Sequence, residues 1–418
     1  MAASTLTRCV GSWLNPLLSR AALSPLVARS FGGGHPVTVL SDEEKMMKET
    51  VARFAREKIQ PLVREMDQRS EMDKSIINGL FEHGLMCIEV DPKYGGAGST
   101  FFSSILAIEE LAKVDPSVSV LCDVQNTLVS ELFLRWGSED LKNKYLPKLT
   151  TEMVGSYCLS EPSCGTDAFA LKTSAKKEGG YWILNGQKAW ITNAEHAGVF
   201  MVMANIDFNK GYKGITTFVV DKDSEGLTVG KKEDKLGIRA SSTCPVFLEN
   251  VKVHESQVIG ELGKGYKYAI ETLNMGRIGI GAQMIGLAKG ALNAVIPYLH
   301  EREAFGQKIA DFQAMQHMRA QLATDIEVAS VMVYNTARMH EQGMPYVKEA
   351  AMAKYFSSEV ANRVASRCVE MVAGVGFTKE YPIEKFFRDA KIGQIYEGTS
   401  FTQLSTIAKC MDEEFKNQ

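Results

Sequence analysis

Near the end of the chain the segment QIYEGTS, residues 394–400, sets one carboxylate, Glu397, between an aromatic ring and Gly-Thr-Ser. On the residues alone two readings stand: a solvated carboxylate at a helix junction, or a buried base. A second candidate is YCLSEPSCGTD, residues 157–167, where Ser160, Ser163, Thr166 and many backbone amides share a turn-rich stretch. Such a stretch suits an anion or the edge of a heteroaromatic ring, and an ordinary polar loop equally well. The third is WITN, from Trp190, where an indole beside a threonine offers a stacking face and a hydroxyl; a core tryptophan is the commoner use. Arg277, in NMGRIGIG, places a guanidinium among apolar residues and needs a partner, either an internal carboxylate or a bound anion. DPKYGGAGST carries Gly95, Gly96 and Gly98 but lacks the Gly-Lys-Ser/Thr ending of a phosphate loop, so it reads as a structural turn.

Composition narrows the field. With a net charge of −3 and no basic stripe, no nucleic-acid partner is expected. No apolar run reads as long enough for a membrane span, so no stable membrane insertion is expected. The eight cysteines, at 9, 87, 122, 158, 164, 244, 368 and 410, form no CxxC pair and no zinc-like spacing. Neither a disulfide framework nor a metal site is expected. Residues 1–40 hold Arg8, Arg20 and Arg29, many serines and no acid, the composition of a mitochondrial transit peptide, assigned to 1–33 with cleavage near ARSFGGG. Without those three arginines the charge falls from −3 to −6.

The elements that must position these groups come in three blocks. Ser41 with Glu44 forms a capping box opening a helical run that Pro61 interrupts. Helical spacing recurs at about 74–87, 100–114, 117–136 and 138–149. From about 151 to 253 the pattern alternates; Asn185-Gly186 between apolar runs predicts a hairpin, and the whole an antiparallel sandwich or barrel. After 256 long helices return, the first apolar on most sides and so buried in a bundle. Further helices are expected at 309–341 and 346–374, then a shorter pair. The 279–286 and 374–376 glycines suit close helix packing. Segregated helices and strands define an α+β fold class.

The segments YCLSEPSCGTD, WITNAEHAG, KLGIRASSTC, GRIGIGAQ, EREAFGQKIADFQAMQ and MVAGVGFTKEYPIEKFFRDAKIGQIYEGTS, in this order, resemble the acyl-CoA dehydrogenase family across residues 41–418. The wording of MCIEVDPKYGGAGS, AEHAGVFMVMAN and GYKYAIETLNMGRIGI is most similar to members acting on short and 2-methyl-branched acyl-CoA. The resemblance implies an N-terminal helical domain (41–152), a middle antiparallel β domain (153–256) and a C-terminal four-helix bundle (257–418). It implies FAD, a homotetramer in the mitochondrial matrix, and electron transfer flavoprotein as the electron acceptor. Flavin contacts would fall on Tyr157, Cys158, Leu159, Ser160, Glu161, Pro162, Ser163, Cys164, Gly165 and Thr166, on Trp190, Ile191 and Thr192, and on Thr399, Ser400 and Phe401. A neighbouring subunit would add Arg302, Gln313, Glu370, Met371, Val372, Ala373 and Gly374. Acyl-CoA would meet Thr166, Tyr212, Tyr266, Asn274, Met275, Gly276, Arg277, Glu397 and Gly398.

The family's reaction removes the α-proton of an acyl thioester and passes the β-hydrogen to flavin as hydride. A carboxylate shielded from water has the raised proton affinity this needs. The family places that base either in the YEGTS segment or on the first bundle helix. Residues 272–300 contain no Asp or Glu, and Arg277 is flanked by Gly276 and Ile278, so Glu397 is the expected base. Thr166 stands where the family usually has Ser and Phe401 where it usually has Asn; Cys164 stands where small residues are common. Two other readings keep the same residues: a 2-methyl-branched enoyl-CoA reductase running the chemistry in reverse, and a catalytically silent flavoprotein or assembly subunit. Intact Glu397 and WIT speak against the second.

Overall fold

The computed structural model describes residues 36–417; the transit-peptide reading of 1–33 lies outside the described residues. Helix α1 (Asp42–Phe54) starts with the expected capping box: Ser41 Oγ accepts from the Glu44 N–H, and Glu44 accepts from the Ser41 N–H at 2.8 Å. A π-turn (Ala55–Ile59) and a 3-10 turn bearing Pro61 lead into α2 (Val63–Arg69) and α3 (Lys74–Glu82). Next come α4 (Phe101–Ala112) and α5 (Pro116–Asp123), then a π-helical stretch (Val124–Ser130), α6 (Glu131–Trp136) and α7 (Glu139–Thr151). A π segment widens the helix by one residue per turn and often marks a functional site.

The middle of the chain is one eight-stranded mixed sheet: β1 (Val154–Cys158), β2 (Ser174–Glu178), β3 (Tyr181–Thr192), β4 (Ala197–Asn205), β5 (Ile215–Asp221), β6 (Leu227–Val229), β7 (Thr243–His254) and β8 (Val258–Ile259). Its order is β6-β7-β3-β2-β4-β5-β8, with β1 also on β4. Most pairs are antiparallel, as expected, but β1 runs parallel to β4, and β2 meets β4 in parallel. The Asn185-Gly186 hairpin does not form. β3 runs straight through it, and the β2–β3 turn falls on Gly179-Gly180 instead. Asn185-Gly186 is a register break against β7, closed by side-chain pairing of Asn185 with Asn250. Glycine is needed there because a Cβ at 186 would lie 2.8 Å from Thr173 Cα. The local dipeptide signal lost to the longer strand ladder.

The C-terminal helices are α8 (Gly265–Glu301), α9 (Gln313–Glu341), α10 (Val347–Val372), α11 (Ile383–Ala390) and α12 (Ser400–Lys416). By length and composition α8 is apolar enough to cross a membrane, which corrects the expectation from sequence; 78% of its apolar window is buried inside the protein. It is the bundle's central rod. α10 and α9 pack on it, and α4 crosses it from the N-terminal block within one hydrophobic cluster. Gly286 and Gly290 let α4 approach: a Cβ at either would overlap the backbone carbonyl of Glu109 or Lys113. Because the obstruction is backbone, it cannot swing aside. Gly286→Ala is therefore expected to destabilise the fold by about 1–3 kcal/mol through overpacking, read as a lower denaturation midpoint with an unchanged m-value.

Candidate active site

The segment between α11 and α12 sets the site. Glu397 has φ +53° and Gly398 φ +89°. A non-glycine residue in this left-handed region costs roughly 1–2 kcal/mol, so the turn must be held. Lys354 Nζ, from α10, donates to the Gly398 carbonyl at 2.6 Å. Gln403 Nε2, from α12, donates to the carbonyls of Glu397 and Gly398, both at 2.9 Å. Thr399 caps α12, its hydroxyl accepting from the Thr402 N–H.

This turn aims the Glu397 side chain at α8, where Gly276 leaves it room. A Cβ at 276 would stand 3.0 Å from Glu397 Oε2 and 3.0 Å from Leu128 Cδ2. Oε2 is buried and has no hydrogen-bond partner among the described residues. Burial pushes the Glu397 pKa up to about 7 against the downward pull of Arg277 and Lys354. Lys354 is fully buried, and burial carries its pKa down to about 7, opposed by the Glu397 charge. Arg277 Nη1 donates to Asn274 Oδ1 at 2.9 Å, while its Nε has no partner among the described residues.

One turn further along α8, Gly279 opens a second notch, filled by the Asp123 carboxyl from the end of α5. Asp123 Oδ1 accepts from the Thr127 hydroxyl at 3.0 Å, and Oδ2 is buried without a partner among the described residues. Burial, then the nearby Glu397 charge, push this carboxyl well above the usual carboxylate range. Two phenols close the pocket. Tyr157 on β1 and Tyr396 are both pushed up by burial and by the charge of Glu397, Tyr396 also by Asp123. Tyr396 donates to Gln283 Oε1; the Tyr157 hydroxyl has no partner among the described residues.

The 157–166 stretch is a strap after β1. Its Glu161 turns inward: the carboxylate accepts from Lys188 Nζ at 2.8 Å and from the N–H groups of Lys172 and Thr173 at 2.7 and 3.0 Å. That ion pair is buried, so Glu161 anchors the strap and its carboxylate is not offered to a ligand. Cys158, Leu159 and Cys164 are buried too; burial raises both thiols, which are packing groups. Pro162, Ser163, Gly165 and Thr166 are exposed. Trp190 sits at a register break of β3 against β7, with φ +61° and its residue 63% exposed, while the neighbouring Ile191 is core and Thr192 half-buried. A bulge of this kind re-aims a side chain, here turning the indole out of the sheet.

The remaining predicted residues divide. Tyr212 and Tyr266 meet edge to face at 4.8 Å, and Tyr266 packs with Tyr157 and Tyr396 on one hydrophobic cluster. Met275 is core. Ser400 Oγ is engaged with Glu359 at 2.9 Å. Arg302 and Gln313 are exposed, Glu370 pairs with Arg367, Met371 and Val372 are core, and Ala373, Gly374 and Phe401 are exposed. Asp123, Lys354 and Gln403 escaped the sequence reading. The available signal was a lone acid in VSVLCDVQN and a lone lysine in AAMAKYF, each a charge inside a run that otherwise reads as buried.

Family models of the acyl-CoA dehydrogenase N-terminal, middle and C-terminal domains match residues 41–153, 156–251 and 263–411. The short/branched chain specific acyl-CoA dehydrogenase, mitochondrial, of Bos taurus is 55% identical over 411 residues, covering 97% of this chain and 95% of that protein. A chain in the solved structure of the electron transferring flavoprotein of Acidaminococcus fermentans aligns with TM-score 0.88 and 40% identity, over 90% of this chain and 99% of its own. A glutaryl-CoA dehydrogenase from Mycobacterium smegmatis in complex with FADH2 aligns with TM-score 0.85 and 28% identity, over 89% and 95%. The chain belongs to the acyl-CoA dehydrogenase family, and it is an FAD-dependent oxidoreductase of the three-domain acyl-CoA dehydrogenase fold. The residues present fit such a cofactor: an exposed indole turned out at a bulge and the free hydroxyls of Ser163 and Thr166 suit a flat ring with hydrogen-bonding edges.

Lys354 both holds the Gly398 carbonyl and faces Glu397 as a cation. Lys354→Met is expected to raise the proton affinity of Glu397 and move the acidic limb of kcat/KM upward by about one to three pH units, with bound flavin retained. The pH profile of anaerobic flavin reduction measures it.

Proposed function

We propose that this protein desaturates short and 2-methyl-branched acyl-CoA between Cα and Cβ in the mitochondrial matrix, with Glu397 as the α-proton base. The observation that carries the reading is the position of Glu397 Oε2: buried over Gly276, without a hydrogen-bond partner among the described residues, and with a pKa raised to about 7. A carboxylate so placed is a far stronger base than one in water. The name of the similar Bos taurus protein supports both the substrate class and the mitochondrial location.

In this reading Glu397 takes the α-proton and becomes a carboxylic acid. The electron pair left at Cα forms the double bond as the β-hydrogen departs with its own pair. FAD, when bound, supplies the acceptor for that hydride. The Glu397 N–H is one donor for the enolate charge that develops on the thioester oxygen. Asn274, Gly276 and Arg277 on α8, with Gly398, form the acyl-CoA wall, and Met275 packs into the core behind them; Thr166, Tyr212 and Tyr266 line the approach. Ser160, Ser163 and Thr166 and the Trp190–Thr192 bulge hold the flavin ring. Arg302, Gln313 and residues 370–374, exposed or at the end of α10, reach the flavin of a neighbouring subunit in a homotetramer. The chain divides into domains at 41–152, 153–256 and 257–418. Electron transfer flavoprotein removes the electrons; likeness to a chain from an electron transferring flavoprotein structure supports that choice.

Glu397→Gln is expected to keep yellow flavin and acyl-CoA binding and to slow flavin bleaching by 2-methylbutyryl-CoA about a hundred- to ten-thousandfold. Bleaching at the normal rate would remove Glu397 from the role. In the unmodified enzyme kcat/KM should rise with pH and level off above about 7, where Glu397 is ionised. A survey of chain length and branching should give fastest bleaching with short and 2-methyl-branched acyl-CoA; no bleaching with any of them contradicts the function.

A further inference from the structure

Asp123 is a buried acid with no part in the proton and hydride transfers. Asp123 is 1% exposed and belongs to a helix that precedes the β domain, yet its carboxyl reaches the face of α8 that receives Glu397. Gly276 and Gly279 are three residues apart, so their notches open on one face, with their Cβ positions about 5–6 Å apart. Each notch receives a carboxyl: Glu397 Oε2 lies over the first, beside Leu128, and Asp123 Oδ1 over the second. Both carboxyls keep one buried oxygen without a partner among the described residues, Glu397 Oε2 and Asp123 Oδ2.

The charges around the two differ. Arg277 from α8 and Lys354 from α10 face Glu397. Asp123 is faced by Glu397, by Tyr396 and by the neighbouring Cys122. Two carboxyls sharing a dry pocket do not both ionise, and the two cations award the single negative charge to Glu397. Asp123 then keeps its proton and becomes a donor. Thr127 already donates to Oδ1, which leaves the acid hydrogen on Oδ2.

We propose that Asp123 is a positioning residue for the base: a neutral carboxylic acid that donates from Oδ2 toward the Glu397 carboxylate. A donor to the charged form favours that form. Asp123 thus keeps Glu397 ionised near neutral pH although the pocket is dry. The inference rests on Glu397 being the base, and its test separates the two.

Asp123→Asn keeps a donor of the same shape, whereas Asp123→Leu removes it. The leucine variant is expected to move the acidic limb of kcat/KM upward by about one pH unit, a tenfold loss at pH values below the limb, with flavin content unchanged. The asparagine variant should restore the limb to its original position. A role in packing alone moves neither limb selectively, and equal limbs in all three proteins overturn the proposal. Infrared titration of the FAD-loaded enzyme without substrate supplies a readout that needs no turnover. In the difference spectrum of the unmodified enzyme against Asp123→Asn, taken at roughly pH 9 where Glu397 is ionised, a protonated carboxylic C=O band should be lost, and the titrating carboxylate band should vanish in Glu397→Gln. If the neutral-acid band survives in Asp123→Asn, Asp123 is not the neutral acid. If Glu397→Gln still reduces flavin, the base assignment fails, while the Asp123→Leu shift of the Glu397 infrared titration still decides whether the two carboxyls are coupled.

Discussion

A carboxylate can act as a strong base only if water is kept from it, and burying a charge is among the more expensive acts in protein folding. The surroundings of Glu397 are arranged to tolerate it. The left-handed turn at Glu397-Gly398 is held by Lys354 and Gln403. Arg277 and Lys354 offset part of the desolvation, and Gly276 supplies the space. Too little positive charge would leave the carboxyl protonated at neutral pH. Too much would make it a weak base. A pKa of about 7 is the balance between them.

The rest of the fold follows from holding that balance across distant parts of the chain. The central helix α8 carries the two notches, and it is fixed by helices from both sides: α4 through Gly286 and Gly290, α10 and α9 through the bundle core. Asp123 and Leu128 come from the N-terminal block, Tyr157 from the first strand, Lys354 from the third-last helix. The buried Glu161–Lys188 pair ties the strap after β1 to the sheet, so that exposed Ser163 and Thr166 project from a fixed base. Removing one partner of such a pair typically costs about 3–5 kcal/mol, which makes the strap's geometry a property of the sheet beneath it.

Much of this was legible in the sequence because it is local. The Ser41–Glu44 capping box, the apolar faces of the long helices and the Glu397 motif each lie within a few residues. Asn185-Gly186 misled because a dipeptide speaks for a turn while the pairing of β3 with β7, over nine matched positions, speaks for a continuous strand. Only the span-like length of α8 was missed; its burial in a bundle and the packing role of its glycines were legible. The resemblance places Glu161 among the flavin contacts as part of the 157–166 stretch; only the fold reveals Lys188 beneath its carboxylate. Asp123 and Lys354 were invisible as site residues because they lie 274 and 43 positions from Glu397 and meet it only through α8 and the α12 junction. Arg302, Gln313 and Phe401 are exposed on this chain, and in the proposed reading Arg302 and Gln313 face a neighbouring subunit.

In the proposed reaction Glu397 moves the α-proton, independently of what later happens to the β-hydrogen. This role is tested most directly by binding an acyl-CoA analogue with sulfur in place of the β-carbon, which cannot lose a hydride, and following deuterium entry from heavy water at the α-carbon by mass spectrometry. Exchange is expected with the unmodified enzyme and none above background with Glu397→Gln. Exchange at an undiminished rate in that variant would contradict it.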